Sequence, residues 1–366
     1  MRKTAYQIHS LCVAKMTYKG PVLGRTISRR LFLKSVIAVA VVTVAGYGIY
    51  EATKPAPAPT PTLTTPTPTS TPTPTPTPTL TPMPTLTQPV LVSIVKGTPA
   101  TSRRAIIEKA LELIGGIRNI LPSGSRVLVK PNVGFYDREA TTDPEVVTSI
   151  VEIVKEESPE ALIVGDSSVR GNDTTHAFEV SGIAEAVKTI GVECRNLAKD
   201  PVETLDIPNG VAIHRVSTYR TVRESTFIIS VPRLKRHSST TVTISLKNMI
   251  GVVTDDEKGL FHREGINQSI ADLNSALKPH LTIIDATKVM TERGPTGGRM
   301  VELNTIIASR DPVAADLIAA ELLFALEGKS SPKDVADEIV HIWKAAELGV
   351  GSADRSKIKI LEATLD

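Results

Sequence analysis

From about residue 90 to its end, the chain alternates short apolar runs with stretches in which apolar positions recur every three or four residues. Leu91–Val95, Arg126–Lys130, Ala161–Gly165, Val192–Leu197, Phe227–Val231, Leu281–Ile284, Asn304–Ser309 and Lys357–Leu361 read as strands. Several are apolar without alternation, as strands covered on both faces are. Helical patterns lie between them. Thr101 or Ser102 caps a helix in which Ile106, Ile107, Ala110, Leu111 and Ile114 share a face, and Gly115-Gly116 stops it. Asp143-Pro144 and Asp311-Pro312 each join an N-cap carboxylate to a proline at the first helical position. Ala177–Ile190, Glu264–Leu277 and Pro332–Leu348 complete the helical set. Thr204–Ser217, with Pro208-Asn209-Gly210 inside it, reads as a β-hairpin and a candidate small second lobe. The alternation predicts one α/β domain over 90–366, with a mostly parallel sheet and helices on both faces.

Upstream the pattern changes twice. Lys54–Pro89 is a Pro/Thr repeat in which proline removes backbone donors at every second position of its purest part, so neither helix nor sheet propagates. An extended, disordered linker is expected there, a stalk rather than a packed element. Before it, Ser28-Arg29-Arg30-Leu31-Phe32-Leu33-Lys34 leads into the uncharged apolar segment Ser35–Tyr50. That combination reads as a twin-arginine export signal over 1–53, whose partners would be the export machinery and the membrane. As a helix its 16 residues span roughly 24 Å, short against a hydrocarbon core of about 30 Å. A removed signal peptide and a retained transmembrane anchor both fit. Either way an extracytoplasmic location is expected for the domain.

Charge sharpens the picture. The formal charge of +3 divides into +8 over the first 34 residues and −5 over the rest. The domain is mildly acidic, and the chain is only 4% aromatic. Nucleic-acid binding is not expected from such a surface. Cys12 and Cys194 are the two cysteines, so no cysteine-ligated iron–sulfur cluster can form within the chain.

In open α/β sheets, ligands bind beyond the carboxyl ends of the strands. Those ends carry Lys130-Pro131-Asn132, Gly165-Asp166-Ser167, Arg233-Leu234-Lys235-Arg236-His237 and Asp285. Lys247-Asn248 sits in an apolar and hydroxylic stretch, where a buried lysine needs a partner. Gly294-Pro295-Thr296-Gly297-Gly298 lets backbone approach a ligand, although it lacks the Lys-Ser/Thr ending of a phosphate-binding P-loop. Asp316 interrupts an apolar helix, so it is either on a narrow polar stripe or buried and paired. These residues suggest a rim for an anionic group or a hard metal ion. Asp166, His237 and Asp285 are the candidate catalytic groups. Lys130, Asn132, Ser167, Lys235, Lys247, Asn248, Gly294 and Gly297 are the candidate ligand-binding groups.

The same pieces, in this order, resemble the family catalogued as domain of unknown function 362. The resemblance is carried by Val127–Asn132, Gly165-Asp166-Ser167, Arg233–His237 with Thr243–Gly251, Ile270-Ala271-Asp272-Leu273, Ile283-Ile284-Asp285, Gly294-Pro295 with Gly297, and Asp311–Asp316. It implies an α/β domain and adds weight to the rim residues, Asp272 among them. Fusion of some relatives to ferredoxin-type domains implies a redox or metal setting, from which this chain departs by lacking the cysteines. Asp166, Asp272 and Asp285 become candidate ligands for a divalent metal.

The expected function is therefore an exported, membrane-tethered α/β enzyme acting on a small anionic or polar ligand, with metal assistance considered. No Gly-x-Ser-x-Gly elbow or His-Glu-x-x-His motif is present to specify hydrolysis. A non-catalytic envelope binding module and a cofactor-delivery accessory protein are the competing expectations.

Overall fold

The computed structural model describes residues 88–366, so the expected export signal and anchor, and nearly all of the Pro/Thr linker, lie outside the described residues. Twelve strands are present among them: β1 Val90–Lys96, β2 Arg126–Pro131, β3 Ala161–Asp166, β4 Glu193–Asn196, β5 Val202–Asp206, β6 Arg215–Tyr219, β7 Phe227–Val231, β8 Arg233–His237, β9 Thr241–Thr243, β10 Leu281–Thr291, β11 Arg299–Ser309 and β12 Ile358–Thr364. The main sheet runs β12-β1-β11-β10-β7-β2-β3-β4, with β8 on β10 and β9 on β8. From β10 to β4 every neighbour is parallel. β11 is antiparallel to both β10 and β1, because the short loop after β10 returns the chain as a hairpin.

Apolar runs along the strands are explained by cover on both faces. Val127 and Val129 of β2 and Ile229 of β7 point into one core, with Ile107, Val147 and Ile150 from the helices Arg103–Leu113 and Pro144–Glu156. Leu128 and Ile228, between them in sequence, point the other way, into a core shared with the β5–β6 hairpin and Leu273. Ile284 and Ile307 meet the helix Pro312–Leu326 through a third. The hairpin is thus a layer on the main body, joined through that shared core. Among the described residues, no helix is long and apolar enough to cross a membrane.

Several elements differ from the sequence reading. Ala177–Ile190 is broken at Gly182 into two helices, and Pro332–Leu348 divides into Pro332–Asp337 and Val340–Glu347. The helix Asp255–Glu264 and the strands β8 and β9 were not expected. β8 had read as a charged loop because only Leu234 in it is apolar; its flanking cations are buried by partners, which hydrophobic periodicity cannot register.

The chain order places a reversal within the parallel part of the sheet. β2, β3 and β4 proceed outward in one direction, and the chain then returns to lay β7 on the other side of β2. The strand order reverses between β2 and β7. Beyond their carboxyl ends such a reversal opens a crevice.

Candidate functional site

Lys130 and Asp166 stand at the carboxyl ends of β2 and β3, beside this reversal. Lys130 Nζ lies 2.7 Å from Asp166 Oδ1, with both side chains buried. Lys130 also donates to the Pro131 carbonyl and to Asn248 Oδ1, at 3.0 and 3.1 Å. Asn248 spans the point of reversal: its Nδ2 donates to Lys130 O on β2 and to Ser230 Oγ on β7, both at 3.1 Å. Asn132 Nδ2 donates to the same Asn248 Oδ1 at 3.2 Å, while Asn132 Oδ1 is buried without a partner. Asp166 accepts further bonds from Val133 N and Ser167 N, each at 2.8 Å. Burial pulls the Lys130 ammonium down and Asp166 opposes it. The pair is compact because Gly251 faces it; a Cβ there would collide with Asp166 Oδ1.

Beside this set lies a second, cationic one. Lys235 is buried, donates to Ala140 O, and holds its ammonium 5.6 Å from the Phe135 ring centroid. No carboxylate pairs with it among the described residues. Burial drives it well below the usual lysine range, and the fields of Lys247 and Arg233 add to that. Lys247, half-buried on the short helix Ser245–Asn248, likewise has no hydrogen-bond or ion-pair partner among the described residues. Burial, with Lys130 nearby, lowers it to about 8. The turn that carries Lys247 is set by Asp316. This fully buried carboxylate accepts from Ser245 N and Leu246 N at 2.8 and 2.9 Å, and burial raises it to about 8.

His237 is neutral in this state. Burial lowers it to about 3, and Lys247 and Lys235 add to the effect. Its Nδ1 accepts from Ser239 N at 3.1 Å, so the ring is neutral with its proton on Nε2. His237 and Arg236 open onto a polar groove of about 480 Å³, walled across by Glu292, Arg293, Gly294 and Thr296. A side chain at Gly294 would strike the Arg236 carbonyl, so glycine lets this loop seat against β8. Gly297 turns the same loop without lining the groove.

The carboxylates considered together as metal ligands do not converge. Asp285 is fully buried: Oδ2 lies 3.2 Å from Arg233 Nη1 and accepts from Asp143 N, while Oδ1 accepts from Thr287 N and Oγ1. It pins β8 to the start of the helix Pro144–Glu156, with no face open to a substrate. Asp272 is not a surface residue either. It is buried, accepting from Ala212 N, Ile213 N and Gln268 Nε2, and so clamps the turn between β5 and β6. With Asp166 saturated by its own partners, no group of three or more His, Cys, Asp or Glu side chains among the described residues forms a cation cage.

Two residues near the site escaped the sequence reading. Lys258 donates to Ser167 Oγ at 2.6 Å and to Asp255 Oδ1 at 3.0 Å, and Tyr219 OH lies 3.0 Å from the same Ser167 Oγ. Ser167 is thereby buried as a joint rather than exposed as a ligand. Thr254 followed by Asp255-Asp256-Glu257 was the available signal for that helix start.

A doubly wound α/β protein with a cluster of cationic side chains at the point of strand reversal is the class this geometry defines. The chain belongs to the family described as a domain of unknown function (DUF362), whose profile matches residues 127–321. It is similar to a thylakoid-associated protein of Synechocystis, 27% identical over 259 residues, or 65% of this chain and 75% of that one. Among solved structures, a protein of Thermotoga maritima aligns at 13% identity with a TM-score of 0.41, over 64% of this chain and 60% of that protein. The lactate racemase apoprotein of Thermoanaerobacterium thermosaccharolyticum aligns at 10% identity and the same TM-score, over 74% and 82%. Likeness at that level carries no functional argument.

Proposed function

We propose that this protein is an enzyme that binds a small oxyanion, a carboxylate or phosphate, in the crevice between the ends of β2 and β7. One observation carries the reading: Lys235, fully buried, and Lys247, half-buried, stand within each other's field, and neither has a carboxylate partner among the described residues. Two cations held so are costly until an anion joins them. Lys130 and Asn248 shape the floor, and the neutral His237 offers its Nε2–H at the entrance. Lys247, lowered toward neutrality, is the group able to exchange a proton with a bound substrate.

The proposed setting is extracytoplasmic, through Arg29-Arg30 and the apolar segment behind them. The printed name of the Synechocystis relative supports a place near a membrane. The test is calorimetric titration of the full chain with acetate and with inorganic phosphate. Lys247→Met and Lys235→Met should each weaken binding by about tenfold or more, a loss of ~1.4 kcal/mol. Both variants should also melt higher than the parent, since a buried unpaired charge is replaced by an apolar stem. Unchanged affinity in both ends the proposal.

A further inference from the structure

The polar groove beside His237 is far larger than a bare carboxylate or phosphate needs. At about 480 Å³ it falls among sites that take whole small molecules, roughly 300–1,000 Å³. One wall is the tip of β8 with Thr241 of β9, and the other is the loop from Glu292 to Thr296. Glu327 ties the walls together: its Oε1 accepts from Glu292 N at 2.9 Å and lies 3.3 Å from Arg236 Nε. Glu292 is itself paired with Arg299, at 3.5 Å. Both carboxylates are thus committed. Arg293 lines the second wall, exposed, and its guanidinium has no hydrogen-bond or ion-pair partner among the described residues. His237 Nδ1 accepts from Ser239 N, so the ring carries its proton on Nε2, and that N–H finds no acceptor among the described residues either. The groove therefore presents free donors and an uncompensated positive charge, the chemistry of an acid-binding subsite.

Strand pairing connects this groove to the buried lysine. Lys235 stands two residues before His237 on β8, so both side chains leave the same face, about 6–7 Å apart along the strand. Thr243 of β9 lies directly opposite Lys235 in the antiparallel register, hence on that face too. Thr243 is buried, and its Oγ1 has no hydrogen-bond partner. A buried hydroxyl left this way points to a missing partner. From the groove inward, one ribbon face carries an outer donor, His237, and then an inner pair of donors, Lys235 and Thr243. A single oxyanion at the inner pair leaves the outer donors unmatched.

We infer that the ligand is acidic at both ends, a dicarboxylate or a phosphorylated carboxylic acid. One acid group meets Lys235 and Thr243, and the other lies in the groove against His237 Nε2–H and Arg293. This rests on the anion-binding reading above and adds to it a second subsite, with Arg293 and Thr243 as binding residues.

Butyrate and glutarate, which differ by one carboxylate, provide the test by calorimetric titration of the full chain. Glutarate should bind about tenfold tighter or more, the worth of one charge-assisted contact. Arg293→Gln should remove that preference while changing butyrate affinity by less than about twofold. Arg299→Gln deletes an equal charge beside the groove without lining it, and should keep the preference. Nitrogen NMR of the histidine-labelled parent adds a readout that needs no variant: glutarate should shift the His237 Nε2 resonance and butyrate should not. Equal affinities, a preference that survives Arg293→Gln, or one that Arg299→Gln abolishes as fully overturns the second subsite and leaves the anion site standing. An unmoved His237 resonance with glutarate bound does the same. Binding of neither probe overturns both.

Discussion

Lys247 is the residue on which the chemistry turns, and its charge is set by what surrounds it. Lys130, Lys235, His237 and His341 act on it from three other elements, and none of the four brings a negative charge. Its value in the fold, about 8, lies below the ordinary 10.5. Between those limits the unfolded chain holds more protons than the folded one, so stability rises with pH across that window. The cost is fully present below about 8 and is lifted above it. Lys235, Lys130 and Lys258, also lowered by burial, act in the same direction. Anion affinity runs the other way, full below about 8 and lost as Lys247 deprotonates. Acetate titrations and urea unfolding measured from pH 6.5 to 9.5 should therefore show affinity falling while stability climbs, and Lys247→Met should flatten both curves near 8. Parallel trends would show that another group controls the site.

At the scale of elements, the site depends on short pieces held from a distance. The four-residue helix Ser245–Asn248 is too short to persist alone. It is fixed by Asp316 from the helix Pro312–Leu326 and by Asn274 from the helix Ile266–Ala276. Immediately after it, Gly251 lies against the Lys130–Asp166 pair. Gly251→Ala should force that pair apart and leave two buried charges imperfectly matched, costing about 3 kcal/mol or more. Chemical denaturation should register the loss. A variant as stable as the parent would mean that the pair can be rearranged without penalty. Most strands and the capped helices were legible because apolar period and N-cap chemistry are local signals. β8 was not, since Arg233 is paired with Asp285, and Arg233 and Lys235 donate to backbone carbonyls, all contributed from elsewhere in the chain.

For the whole molecule, the expected export signal and linker make a separate prediction. Replacing Arg29 and Arg30 together by lysine should leave the protein in the cytoplasmic fraction, as assayed by immunoblot after fractionation, because that route reads the guanidinium pair itself. Continued export of the variant would assign the leader to another pathway. By itself, the sequence determined the α/β class, the positions of most elements and the chemical types gathered at the strand ends, since periodicity, caps and chain order are written locally. Only the tertiary structure decided which of those groups have partners. It spent Asp272, Asp285 and Ser167 on holding backbone and side chains in place, and left Lys235 and Lys247 without a counter-charge among the described residues. Pairing depends on atoms brought together from residues 52 to 95 positions apart in these cases, and no local pattern encodes that distance.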